Sequence, residues 1–242
     1  MNGVVRSEML RSVSGFSMLA VALIALLLPV FVLVSHGERL DLTGLDGPTA
    51  TARLLEPLAW SAVSAAFVSA YGVTRETYYA SMDRTLAGVA FPRAFAGKLI
   101  SGALVSLALS VLLDLVWTVA VSAALTQSGL SLALTPDTAR LYAGALLGAV
   151  LGALCGGAVG WIARNYYVAA AVILVLPMAL DFALLRAMPE IARFSPALVL
   201  VALGVPGHEY RLLAFGPALS AALVWTAGLI AVAWIRGRRS LV

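Results

Sequence analysis

The run LISGALVSLALSVLLDLVWTVAVSAAL, Leu99 to Leu125, holds one charged side chain, Asp114. A helix needs roughly 20 apolar residues to cross the hydrocarbon core of a bilayer, and this run exceeds that. The remainder of the chain is of the same kind. Of its 242 residues 62% are hydrophobic and 12% charged, where an ordinary soluble domain carries about a quarter charged residues. The sequence therefore specifies a polytopic membrane protein. Its net charge of +4 is no sign of nucleic-acid binding, because basic residues in such a protein act through their positions, which set topology.

Six spans are predicted: Gly15–Ser35, Leu54–Val73, Leu99–Leu125, Leu141–Ala163, Val168–Leu185 and Ala214–Ile235. A further apolar run, Ser195–Gly207, has the length of a re-entrant or interfacial segment, about 10–14 residues. Six crossings place Arg6, Arg11, the Arg75–Lys98 loop, Arg164 and the Arg236-Gly237-Arg238-Arg239 tail on one side, which the positive-inside rule makes cytoplasmic. The opposite loop carries Glu38, Asp41 and Asp46. A seventh crossing would put the arginine tail outside. Both termini are thus expected in the cytoplasm. The first span is longer than a signal-peptide h-region, and no A-x-A-like site follows it, so it is expected to be retained. Residues 1–14 contain Val5, Met9 and Val13 at i, i+4, i+8, with Arg6, Glu8 and Arg11 elsewhere on the wheel. That pattern suits a short helix lying in the inner interface.

Catalytic motifs are missing. The chain has no G-x-x-x-x-G-K-[ST], H-E-x-x-H or G-x-S-x-G. His36 and His208 fall in outer loops, and Cys155 is the sole cysteine, which excludes a disulfide framework and a cysteine metal cluster. Soluble segments of about 20–25 residues are too short to fold a nucleotide-binding domain. No cofactor or metal is expected in this chain. Asp114 and Asp181 lie about 15 residues into their spans, about 22 Å deep at ~1.5 Å per residue. A charge there costs about 2.5–3.5 kcal/mol, so each marks either a polar point on a substrate path or a carboxyl hydrogen-bonded between helices. Gly144, Gly148, Gly152, Gly156 and Gly160 recur every fourth residue, a small-residue face that lets another backbone approach closely. Pro29, Pro177 and Pro217 can bend the first, fifth and sixth spans.

Between the second and third spans, Tyr79, Met82, Leu86 and Val89 follow i, i+3, i+7, i+10, with Asp83 and Arg84 off the stripe. An amphipathic helix is predicted there, ended by Pro92, with Lys98 anchoring the next span at the interface. With these residues in view, the chain resembles the transmembrane subunits of ATP-binding-cassette transporters of the type-2 permease class. The resemblance rests on the basic, glutamate-containing leader VVRSEMLRS, the loop RETYYASMDRTLAGVAFPRAFAGKL, the run GGAVGWIARNYYVAAA and the segment RFSPALVLVALG. These touch most of the chain in the family's order. One departure is that the family often has Gly-Thr where this chain has Ala80-Ser81 or Ser81-Met82.

The resemblance implies an all-α membrane protein with a single permease domain over residues 1–242: six transmembrane helices, an N-terminal interfacial helix, a cytoplasmic coupling helix between spans two and three, and an outer re-entrant segment. It implies that Arg75, Glu76, Tyr79, Met82, Asp83, Arg84 and Thr85 form the coupling segment to a separate ABC ATPase subunit, which would hold the ATP and Mg. Pro92, Arg93 and Lys98 match that segment's exit, and Glu76 would tie span two to the coupling helix. It further implies a second permease copy, as a homodimer or with a similar six-span chain, in the bacterial inner (plasma) membrane, and ATP-driven export. Spans lined by Ala, Val and Leu with few polar handles make an amphipathic drug, antibiotic, peptide or lipid the expected cargo. Two other classes remain open on the residues alone: a non-transporting membrane scaffold or immunity protein, and a membrane-embedded enzyme.

Overall fold

The structure, a computed structural model, describes residues 2–13, 16–35, 41–205 and 212–239. Both histidines and Gly207 lie outside that set. The helices are α1 (Asn2–Val13), α2 (Phe16–Ser35), α3 (Gly47–Leu55), α4 (Ser61–Tyr78), α5 (Met82–Gly88), α6 (Phe91–Gln127), α7 (Pro136–Ala163), α8 (Tyr166–Ala170), α9 (Phe182–Ala187), α10 (Pro189–Ala192), α11 (Pro196–Val201) and α12 (Phe215–Arg239). A 3₁₀ turn, Glu56–Trp60, joins α3 to α4, and π-wound stretches at Ala171–Val175 and Pro177–Asp181 join α8 to α9. Every regular element among the described residues is helical. Four helices are long and apolar enough to cross a membrane: Gly47–Tyr78, Phe91–Gln127, Pro136–Ala163 and Phe215–Arg239. This is the build of a membrane protein.

Local chemistry sets the helix ends. Asp46 caps α3 by accepting the Thr49 N–H at 3.3 Å, with Pro48 in the first turn. Thr135 and Thr138 form a reciprocal box at the start of α7, satisfying amides that the helix leaves open. Arg164, at φ 51°, closes α7, and Asn165 caps α8 by accepting the amides of Tyr167 and Val168. Two predicted spans start late. The second helix begins at Gly47 rather than Leu54, because a capped turn with threonines and Arg53 precedes the apolar stretch. The third begins at Phe91, with Pro92 in its first turn, where proline's missing N–H has no intrahelical partner to lose. Pro217 likewise sits in the first turn of α12, where its missing N–H costs no intrahelical bond.

Helices α4 and α7 form the buried centre, with α6 and α12 more exposed around them. The contact between the two is backbone on backbone. A Cβ built on Gly152 or Gly156 would overlap the carbonyl oxygens of Ala62 and Ala66, and one on Gly160 would come within 3.0 Å of the Ala70 oxygen. Farther up α7, a Cβ on Gly144 would strike the Leu203 carbonyl, and one on Gly148 would reach 3.0 Å from that of Leu200. The glycine ladder is thus met by an alanine ladder of the same period on α4 and then by α11. Helix α6 joins through Ser106, whose hydroxyl donates to the Ala65 carbonyl at 3.1 Å. Trp117 donates its indole N–H to the Leu54 carbonyl at 2.9 Å, an acceptor beside the 3₁₀ turn at Pro57.

Within the Ser195–Gly207 run, the described residues 195–205 form α11 and a following turn. Its residues Leu198 to Leu203 are buried, and Ser195 caps it by accepting the Leu198 amide. At the opposite end of the bundle, Phe91, Phe95, Trp161 and Trp234 pack with ring centroids 5.1–5.7 Å apart. The Phe91 ring lies on the backbone of α12 at Gly237, where a Cβ would come within 2.6 Å of it.

Because the α4–α7 contact has no room for a methyl group, Gly156→Ala is expected to cost about 1–3 kcal/mol, lowering the melting temperature by several degrees. Gly228→Ala on α12, where nothing lies within 4 Å, is the control and should leave it unchanged or slightly raised. Thermal unfolding of the detergent-purified variants distinguishes them. Equal melting of both would show that the seam relaxes freely.

Candidate functional site

Three helices that are remote in sequence bring charge together at the end of the bundle holding α5. Lys98, one residue before the apolar run of α6, does not extend outward from the protein. It is buried, with its Nζ 2.8 Å from Glu8 Oε2 on α1 and closer still to Glu76 Oε1 on α4. Arg11 lies 3.8 Å from Glu8 and 3.7 Å from Glu76. Two carboxylates and two cations therefore balance. Lys98, Glu8 and Glu76 are buried while Arg11 stays exposed at the edge, and buried charges persist only because each has partners. Glu8 is consequently on the inward face of α1, while Val5 and Met9 are half-buried.

Residues 75–85 are built around this cluster. Arg75 and Glu76 belong to the last turn of α4. The helix ends in a Schellman motif: Ser81 N–H bonds to the Glu76 carbonyl at 2.9 Å and Ala80 N–H to that of Thr77 at 3.2 Å. Ala80 occupies the left-handed position at φ 50°, a place where glycine is usual. Helix α5 then begins at Met82. Thr85 on α5 lies 3.1 Å from Glu76 Oε2, within donating distance, and accepts from Arg11 at 3.2 Å. The side chains of Asp83 and Arg84 lie outside the described residues, and Pro92 and Arg93 are exposed in the first turn of α6.

The predicted stripe needs correction. Tyr79, Met82, Leu86 and Val89 do not share one helical face, because the left-handed turn at Ala80 separates α4 from α5. Met82 and Leu86 pack inward on the Phe91–Trp161 cluster, whereas Tyr78 and Tyr79 are 68% and 63% exposed. The exposed tyrosines, with Tyr71, Tyr166, Tyr167 and Arg75, line a cavity of about 260 Å³ closed by Ala20, Val21 and Ile24 of α2. Nothing in the local sequence pattern joins these tyrosines; α4 and α8 meet only through the fold.

The two intramembrane acids lie in different surroundings. Asp114 is buried beside Leu113 and Trp117 on α6, and its Oδ1 finds no hydrogen-bond partner among the described residues. Next to it, Thr118 contacts the Tyr142 hydroxyl of α7. Asp181 accepts from the Ser195 hydroxyl at 2.7 Å and lines a cavity of about 320 Å³ among α4, α7, the π-wound helix, α11 and α12. Asp114 is not among that cavity's walls. No group of three or more His, Cys, Asp or Glu suited to a metal ion occurs among the described residues.

Removing one member of a buried ion cluster strands the others, at about 3–5 kcal/mol. Lys98→Met should therefore lower stability strongly, and adding Glu8→Gln should recover part of the loss by removing one stranded carboxylate. Chemical denaturation in detergent measures both. A Lys98→Met protein as stable as the parent would mean that water already solvates these charges. Set against protein-family models, curated proteins and solved structures, the chain matches none.

Proposed function

We propose that this chain is the membrane-spanning subunit of an ATP-binding-cassette transporter of the type-2 permease class, exporting an amphipathic compound with energy from a separate ATPase subunit. The observation that carries the reading is the junction at the α5 end. A short helix outside the apolar bundle is tied through Thr85 to Glu76, and through Glu76 and Lys98 to α4, α6 and α1. A push on α5 would reach all three at once. A solvated tether would need no such bracing.

In this reading α2 and the 166–187 helix cross the membrane beside the four long helices. All six then alternate in direction, and the re-entrant segment is α11 with its turn. Arg11, Arg75, Arg93, Arg164 and Arg236–Arg239 share the cytoplasmic side, in the inner membrane of a bacterium. ATP and Mg belong to the partner. A second copy, or a similar six-span chain, completes the pathway; α6 and α12 expose apolar faces, including Leu115, Val119, Leu223 and Val224, that need lipid or a partner helix.

The chain should co-purify with an ATPase chain and hydrolyse no ATP when purified from it. Tyr79→Asp, on an exposed side chain, should abolish that association in a protein that inserts and melts normally. Met82→Asp should act differently: it buries a charge against the aromatic cluster and lowers stability by several kcal/mol. Pull-down and melting curves together decide. Unimpaired ATPase binding by Tyr79→Asp would move the contact elsewhere, and turnover of ATP by the isolated chain would overturn the reading.

A further inference from the structure

We propose that the cavity beside Asp181 binds an apolar molecule carrying a single basic amine, with the Asp181 carboxyl as its counter-charge. The cavity, about 320 Å³, is within the range of ligand pockets, about 300–1,000 Å³. Val63 and Ala66 of α4 and Gly156 of α7 form its buried floor, and Val172, Leu176 and Trp225 stand at its exposed mouth. The mouth is on the flank of the bundle, so a guest enters from the hydrocarbon.

Its polar groups are few and mostly engaged. The Cys155 thiol is 3.2 Å from the Thr226 hydroxyl. Trp225 donates its N–H to the Phe194 carbonyl at 3.0 Å, which fixes the ring at the mouth and leaves its face to pack on a guest. Asp181 differs. Ser195 supplies one donor, to Oδ2, whereas a carboxylate has about four acceptor sites. A wholly apolar guest would seal that capacity away unmet, and an anionic guest would meet like charge; both are costly in a dry cavity. A protonated amine supplies both the missing donors and the opposite charge. Ile173, Pro177, Asp181 and Leu184 reach the cavity from one helix at i, i+4, i+8 and i+11, the spacing of a single helix face.

The inference names a substrate class for the export reading and rests on it for the ligand's fate, not for its binding. The test uses the full chain in lipid nanodiscs, with empty discs subtracted, titrated calorimetrically with phenylbutylamine, phenylbutanol and phenylvalerate. The amine should bind saturably and roughly ten- to hundred-fold more tightly than the alcohol, and the acid should not bind. Asp181→Asn should reduce the amine to the alcohol's affinity while leaving the alcohol unchanged. Val172→Trp, which plugs the mouth and leaves the Ser195 bond intact, should weaken both. No saturable binding, an amine no better than the alcohol, or indifference to both substitutions would overturn the assignment. Selective amine binding by a chain that recruits no ATPase would support the cavity and overturn the export reading; an ATPase-bound chain that takes no amine would do the reverse.

Discussion

In hydrocarbon a leucine gains nothing by leaving lipid for another leucine, so helices associate through close packing and polar contacts. That constraint makes the α4–α7 seam the foundation of this protein. Ala62, Ala66 and Ala70 present carbonyl oxygens to Gly152, Gly156 and Gly160 so closely that a Cβ has little or no room between them. The other helices are placed by reference to this pair. Ser69 of α4 meets Gly102 of α6 and Gly157 of α7, and α11 rests against the upper glycines. The cavity beside Asp181 exists because the seam's far side, at Val63, Ala66 and Gly156, carries side chains too small to fill it.

At the α5 end the bonding changes character. Packing among small residues gives way to Phe91, Phe95, Trp161 and Trp234, and then to the Glu8–Lys98–Glu76 cluster. The two kinds of contact respond differently to motion. Interdigitated rings have one best arrangement, whereas charges sharing a small space can exchange partners. Glu76 already touches Lys98, Arg11 and Thr85, so small movements of α5 redistribute bonds without exposing a bare charge. The left-handed Ala80 sits where the chain turns from α4 towards α5.

Sequence periodicity revealed whatever a single element determines by itself. The glycine ladder, the long apolar runs and the short apolar stretch that starts at Ser195 are all local. The Glu8–Lys98 bond joins residues 90 positions apart, and no pattern in either helix announces it. The Tyr79–Val89 stripe failed because periodicity was carried across Ala80, where the chain leaves the right-handed region. Met82 and Leu86 are apolar for the sake of the aromatic cluster beneath them, which the stripe alone could not distinguish from a partner outside. The π winding around Pro177 was invisible as well, since the same residues would write an ordinary helix.

The glycine seam also has a genetic consequence. Glycine codons share the form GGN, and every single-base change that alters the amino acid adds at least a Cβ. At Gly144, Gly152 and Gly156 that added atom meets a backbone carbonyl, which cannot rotate away as a side chain could. These positions have no harmless neighbour one mutation away, and an alteration on α4 cannot make room, since its own contacting atoms are main chain. The seam is a stretch where every coding change carries a packing cost.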